Sequence, residues 1–407
     1  MDNETPRSAT WSVLWVVLMA VLAIPIPLRG IPMPERGVPI LYLVVAGTLL
    51  LLMHIGRTSL PLALFLGYTL FWVLTSGYPI RGVQILVLLL MGALLYVEAS
   101  RLSVPWARRV AWAFVVGAAL QAGLGLLNML HVFPSPTAPA LAVRWIGMDP
   151  TSVFKFFDAG PWLTLMTREY LGRPMGWLTH PNFWGSYLAL AVPVVYVVAG
   201  RWWGLGCFSV VLLSTSVGPV LAAAAGLLLV AWRDVPKILR SALVVAAALV
   251  IATVTYTHVT PRLENHKPLT LSTLSSGRTA VWAAAWPNLK EHPLVGNGIG
   301  SWRLWANEHN RVTNQPTFAT LQAHNELVQL LFEWGLIGLA VILVWLWHLC
   351  RGARALWALA APEGVMWVAV AAVAAVNSFV SPTFHLPAQA AIALFAAGRL
   401  EAARRGA

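Results

Sequence analysis

Charge is what this chain has least of. Asp, Glu, Lys and Arg make up 10% of its 407 residues, against 58% hydrophobic residues and a mean hydropathy of +0.72. Soluble domains average about 25% charged residues, so the composition excludes an ordinary soluble fold. Cysteine is nearly absent. Cys207 and Cys350 lie far apart, in or beside apolar runs, which excludes a disulfide framework and a CxxC zinc site. The chain shows no internal repeat and no low-complexity tract, and its loop carboxylates form no DxD pair. The net charge is +12, yet no basic run is interleaved with aromatics on a soluble module, so nucleic acid is not an expected partner.

Long apolar runs fill most of what remains. At about 20 residues per membrane span, the hydropathy pattern predicts twelve helices near 10–28, 38–54, 58–77, 82–99, 105–131, 182–200, 202–215, 217–233, 241–259, 325–349, 364–381 and 385–400. The expected fold is an all-α integral membrane protein, with residues 1–407 forming one polytopic domain. The first apolar run is span-length and many spans follow it, so it is expected to be an uncleaved helix rather than a signal peptide. Around 202–233 the Thr-Ser-Val-Gly stretch is either a tight turn between two helices or a break within one.

Arginine sets the expected sidedness. With a cytoplasmic N-terminus, the inner loops carry Arg57, Arg101, Arg108, Arg109, Arg201, Arg233, Arg351, Arg354 and the C-terminal Arg399, Arg404 and Arg405. The short outer loops are poorer, which is a positive-inside pattern. It puts both long polar segments, 132–181 and 260–324, outside the membrane, which in a bacterium is the periplasm, and it returns the C-terminus to the cytoplasm.

The candidate chemistry gathers in those two segments. The first ends GRPMGWLTHPNFWGSYLAL, where Arg173 and His180 precede Pro181 and Asn182 at a helix start. With Trp145, Phe154 and Trp162 it also suits an aromatic interfacial belt with an arginine anchor. The second is expected to be helical. Ser275 or Ser276 is a plausible N-cap, which places Arg278 in the first turn. A helix N-terminus attracts anions, so an arginine there points to a bound anion; the alternative is a surface salt bridge. GNGIGS, residues 296–301, lacks a surrounding βαβ unit and is expected to form turns between two short helices rather than a dinucleotide loop. Asn325 is a good N-cap for the next apolar helix, and it shares one face with Gln329 and Glu333. Glu333 would lie about two turns into the membrane, where an ionisable group usually faces a polar cavity. His324 is either a catalytic group or an interfacial histidine bonded to a carbonyl.

Together these stretches resemble the O-antigen ligase and polymerase superfamily of bacterial envelope proteins. His324-Asn325, nine residues, then Gly335-Leu336-Ile337-Gly338 resembles the ligase signature. SGRTAVWAAAWPNLKEHPLVGNGIGSW resembles the family's Arg…Trp…His-Pro-Leu-x-Gly-x-Gly-x-Gly region, and GRPMGWLTHPNFWGSYLAL followed by STSVGPVLAAAAG resembles the paired motifs that open the family's core. Many relatives carry Ser-Arg-Gly where this chain has Ser216-Val217-Gly218, so a basic contact is missing there and Arg173 gains weight. The spacing after His324 and the modest length favour a ligase over a polymerase or a protein O-oligosaccharyltransferase.

The resemblance implies a GT-C-like membrane glycosyltransferase. Its donor would be a glycan on undecaprenyl diphosphate, and its acceptor a sugar hydroxyl of lipid A–core in lipopolysaccharide assembly. His324 would act as general base and Arg278 would hold the leaving diphosphate. Arg173, Asn325, Gln322, His180 and Asn182 would contact substrate. Arginines would do the charge work, so neither a metal nor another cofactor is expected, and transfer should invert the anomeric centre. The competing class is a lipid or polysaccharide transporter, suggested by polar residues inside helices such as Gln121, Glu333 and Asn377, although repeated halves are lacking.

Overall fold

The computed structural model describes residues 59–75, 79–130, 181–232, 256, 277–313 and 322–406. Their regular elements are helices α1 (Leu60–Thr75), α2 (Pro79–Arg101), α3 (Val104–Met129), α4 (Pro181–Val198), α5 (Arg201–Leu213), α6 (Val217–Ala231), α7 (Arg278–Glu291), α8 (Ser301–Thr313), α9 (Glu326–Leu359), α10 (Pro362–Ser378) and α11 (Pro387–Gly406). A single 3-10 turn, Thr383–His385, lies between α10 and α11. The apolar segments expected at 10–28 and 38–54 lie outside the described residues, as do all of 241–259 but residue 256 and nearly all of the polar segment 132–181.

The other expected spans coincide with helices to within a few residues, except that α9 continues ten residues past the expected end at 349 and α11 six past the expected end at 400. Arg351 and Arg354 interrupt the apolar run of α9, but both are good helix formers and do not stop the helix. α3 and α9 each hold a stretch long and apolar enough to cross a membrane. The large side chains Leu343, Val344, Leu346 and Trp347 lie exposed along the outside of α9. An apolar exterior of this kind suits lipid rather than water.

α4 is the central element. It packs against α3, α5, α6, α10 and α11, and Trp184, Leu188, Leu190 and Val192 are fully buried. The Trp184 indole N–H donates to the Gln121 carbonyl of α3 at 2.7 Å. Between α5 and α6 the structure resolves the Thr-Ser-Val-Gly stretch as a tight turn. Tyr196 near the end of α4 abuts Gly204 at the start of α5, and Gly185 near the start of α4 abuts Ser214, so α5 runs back along α4. α6 then runs parallel to α4, with Gly226 beside Pro193.

The two ends of the bundle differ. At one end, Arg399 donates to the Ala99 carbonyl (2.9 Å) and to the Leu102 carbonyl (2.5 Å), Arg405 donates to Ser100, and Arg108 pairs with Glu363. At the other end α4, α6, α9 and α11 begin, α10 ends, and the polar elements α7 and α8 are attached.

Candidate active site

The polar segment is fixed to the bundle through a break in α9. An unbroken α-helix would pair the Leu336 N–H with the Phe332 carbonyl and the Ile337 N–H with the Glu333 carbonyl. At Gly335 the backbone turns to φ 64°, ψ −164°, a region open essentially to glycine alone. Both pairs are then exchanged with the 292–300 loop. Leu336 donates to the Pro293 carbonyl (2.9 Å) and Ile337 to the Leu294 carbonyl (3.0 Å), while Phe332 accepts from Asn297 (2.8 Å) and Glu333 from Gly298 (3.0 Å). Each orphaned backbone group would cost several kcal/mol in an apolar setting, so break and loop require one another. Gly296 (φ 75°) is the loop's point of closest approach; a Cβ there would lie 2.6 Å from the Glu333 carbonyl oxygen. α1 braces the loop from the other side, with Tyr68 and Trp72 donating to the Val295 carbonyl at 2.9 and 3.1 Å. GNGIGS therefore is a turn between α7 and α8, as its sequence context suggests.

α7 opens at Gly277 (φ 83°), a left-handed N-cap that makes no side-chain capping bond. This corrects the expectation that Ser275 or Ser276 caps the helix. Arg278 is its first residue, and its Nη1 donates to the Val380 carbonyl at 2.9 Å. Below it, Val281, Ala285, Trp302, Ala306, Ala323 and Phe332 form a small apolar core that unites α7, α8 and the start of α9.

Asn325 caps α9 as expected, its Oδ1 accepting from Leu327 (2.9 Å) and Val328 (3.1 Å). Its Nδ2 donates to the Phe379 carbonyl at 3.2 Å. His324 is half-buried, with Nδ1 shielded from solvent, and its φ is +53°. A non-glycine residue held there is uncommon, and such residues cluster at functional sites. Gln322 is half-buried two residues earlier.

The residues that sequence reasoning missed are those of the 379–386 loop between α10 and α11. Its Phe379 and Val380 carbonyls accept from Asn325 and Arg278, and its Phe384 N–H donates to Glu326 Oε1 at 2.7 Å. Buried polar side chains hold the loop from beneath. Ser186 Oγ donates to Asn377 Oδ1 (2.9 Å), and Asn377 Nδ2 donates to Thr383 Oγ1 (2.9 Å). Asn182 Oδ1 accepts from the Ser216 hydroxyl. Gly218 lies against the Val380 side chain, which leaves no room for a Cβ. Val217, the residue in place of the relatives' arginine, thus opens α6 beside this loop. The signal was present: Ser381-Pro382-Thr383 and Pro387 interrupt two apolar runs at the end where the polar segments lie.

The structure therefore brings Arg278 and Asn325, next to His324, to one loop, with Gly218 of α6 against it. Arg173 and His180 lie outside the described residues. The Glu333 carboxylate binds the Gly300 N–H (2.9 Å) and the Gln329 amide (3.2 Å). Among the described residues, no three His, Cys, Asp or Glu side chains gather as a metal site.

No curated protein matches the chain. Residues 202–343 match a family model described as O-antigen ligase, a stretch that runs from α5 through α7, α8 and the break in α9 and contains Arg278, His324, Asn325 and Gly335. The match supports membership of the O-antigen ligase/polymerase superfamily for this membrane protein.

Proposed function

We propose that the protein is an O-antigen ligase. It moves O-antigen polysaccharide from undecaprenyl diphosphate to a sugar hydroxyl of lipid A–core. The observation that supports this reading is the meeting of Arg278 and Asn325, the residue after His324, on the adjacent carbonyls of Val380 and Phe379. The acceptor oxygen attacks the anomeric carbon. The bond from that carbon to the diphosphate breaks, the diphosphate leaves with the electron pair, and His324 takes the acceptor proton. Imidazole suits this step because its ordinary titration range lies nearest neutrality. Arg278 holds the leaving diphosphate, since guanidinium stays charged and matches phosphate oxygens with paired donors. Arg173 and His180 join it from the preceding segment, Asn325 and Gln322 orient the base and acceptor, and Asn182 borders the donor.

Attack from the face opposite the diphosphate inverts the anomeric centre, and arginine supplies the counter-charge that a metal would otherwise bring. The reaction faces the periplasm from the inner membrane, with both termini in the cytoplasm. The arginine contacts at the far end of the bundle support that orientation, and the helical fold with its attached polar segment suits a GT-C-like enzyme.

Incubating purified protein with a defined undecaprenyl-diphosphate glycan and lipid A–core tests the reading. Glycosylated lipid A–core, formed equally well in EDTA, is the expected product. Donor-on-donor elongation would make the protein a polymerase, and activity lost in EDTA and restored by a divalent ion would overturn the metal-free scheme. Arg278→Lys is expected to lower kcat/KM by about a hundredfold, because a compact ammonium does not reproduce the paired donors.

A further inference from the structure

The residue just before His324 is held at both of its backbone polar groups. The Ala323 carbonyl accepts from the Trp282 indole at 2.9 Å, and the Ala323 N–H donates to Gln329 Oε1 at 3.1 Å. Gln329 in turn donates through Nε2 to Glu333 Oε1 (3.2 Å), and Glu333 Oε2 accepts the Gly300 N–H (2.9 Å) at the start of α8. Both side chains are almost fully buried, at 5% and 1% exposure. A buried carboxylate is costly even when paired, and an apolar pair of similar volume would fill the space as stably. A directional tie between two main-chain N–H groups is what apolar side chains do not provide.

We propose that Gln329 and Glu333 are positioning residues that act on His324 through the backbone of Ala323. The inference rests on His324 being the general base. The two ends of this chain of hydrogen bonds, Ala323 N–H and Gly300 N–H, are both donors, and one amide and one carboxylate between them satisfy both ends. A carboxylate at each position places like charges together. An amide at each position leaves one NH2 facing an N–H donor whichever way the amides turn. The order, however, is free. With glutamate at 329 and glutamine at 333, Ala323 donates to the carboxylate, the amide of residue 333 donates to that carboxylate, and its oxygen accepts from Gly300. Gln and Glu have the same length, so the exchange leaves packing unchanged.

The test is a swap in the full-length protein: Gln329→Glu, Glu333→Gln, and the two together, with His324→Ala alongside. Each single change is expected to lower kcat by about tenfold or more while donor KM stays within about threefold, because a base displaced by a fraction of an ångström loses rate rather than binding. The double variant is expected to regain kcat to within about threefold of wild type. If a single variant fails to fold, the double variant carries the test by itself: folded protein with near-wild-type kcat supports the relay, and unfolded or inactive protein overturns it. Singles that keep wild-type kcat, a double no better than the worse single, or a loss confined to donor KM also overturn it. Should His324→Ala keep full activity, the base assignment falls first; should it be inactive while the singles are normal, only the relay falls.

Discussion

Two loops bind the first part of α9, and they work in opposite ways. The 292–300 loop is held by its own backbone, which trades four hydrogen bonds with the broken turn of α9. It exists in that form only because Gly335 and Gly296 adopt backbone conformations that other residues resist. The 379–386 loop is instead held by other elements. It offers carbonyls and one N–H, and Arg278, Asn325 and Glu326 reach it with side chains. The first loop fixes where the polar segment sits on the bundle. The second gathers Arg278, Asn325 and Glu326 onto one ledge. Substitutions should therefore damage the first through folding and the second through the side chains that dock on it.

The largest effect is expected at Gly335→Ala. The new Cβ would press on the Leu294 carbonyl, and the backbone strain together with the exchanged hydrogen bonds should cost more than about 3 kcal/mol. A collapse in the yield of folded protein and a lower thermal midpoint in detergent would register it; a stable Gly335→Ala protein would mean that the loop does not depend on the break. Asn325→Ala comes next. It removes an N-cap, worth about 1 kcal/mol, and also the link to Phe379. A midpoint only slightly lowered, with transfer reduced about tenfold or more, is the expected outcome, and equal retention of both would separate the cap from the site. Arg311→Ala should do least. Its partner Glu308 is held below the usual carboxylate range by the hydrogen bond from Arg311, on an exposed face of α8. A depressed carboxylate keeps its ion pair above the ordinary carboxylate range and loses it only as the pH falls through the lowered value. The pair thus stays intact around neutrality, and neither the transfer rate nor its pH profile between 6 and 8 should change in the variant.

The difference between the loops also explains what the sequence made legible. Helix positions followed from apolar runs, and the Asn325 cap from a local pattern of amide, acid and apolar run. The glycines of 296–300 signalled turns, because glycine marks backbone that other residues resist. The partner of those turns, the break at Gly335, was visible only as two glycines in a motif, since exchanged main-chain bonds leave no side-chain trace. The helical spacing puts Gln329 and Glu333 on one face, but the Gly300 N–H that binds Glu333 lies thirty-three residues earlier in the chain. The 379–386 loop stayed hidden for a similar reason: it acts through carbonyls, which every residue has. Gly277 holds the capping place expected for serine, in a left-handed conformation that glycine adopts without strain.

The account depends most on His324 removing the acceptor proton while the diphosphate is held by arginine. Single-turnover transfer by His324→Ala, measured together with direct binding of the undecaprenyl-diphosphate donor, tests this most closely. Donor bound as tightly as by wild type, with transfer slowed by about a hundred- to ten-thousandfold, is the predicted result. Transfer at the wild-type rate with donor bound would contradict it.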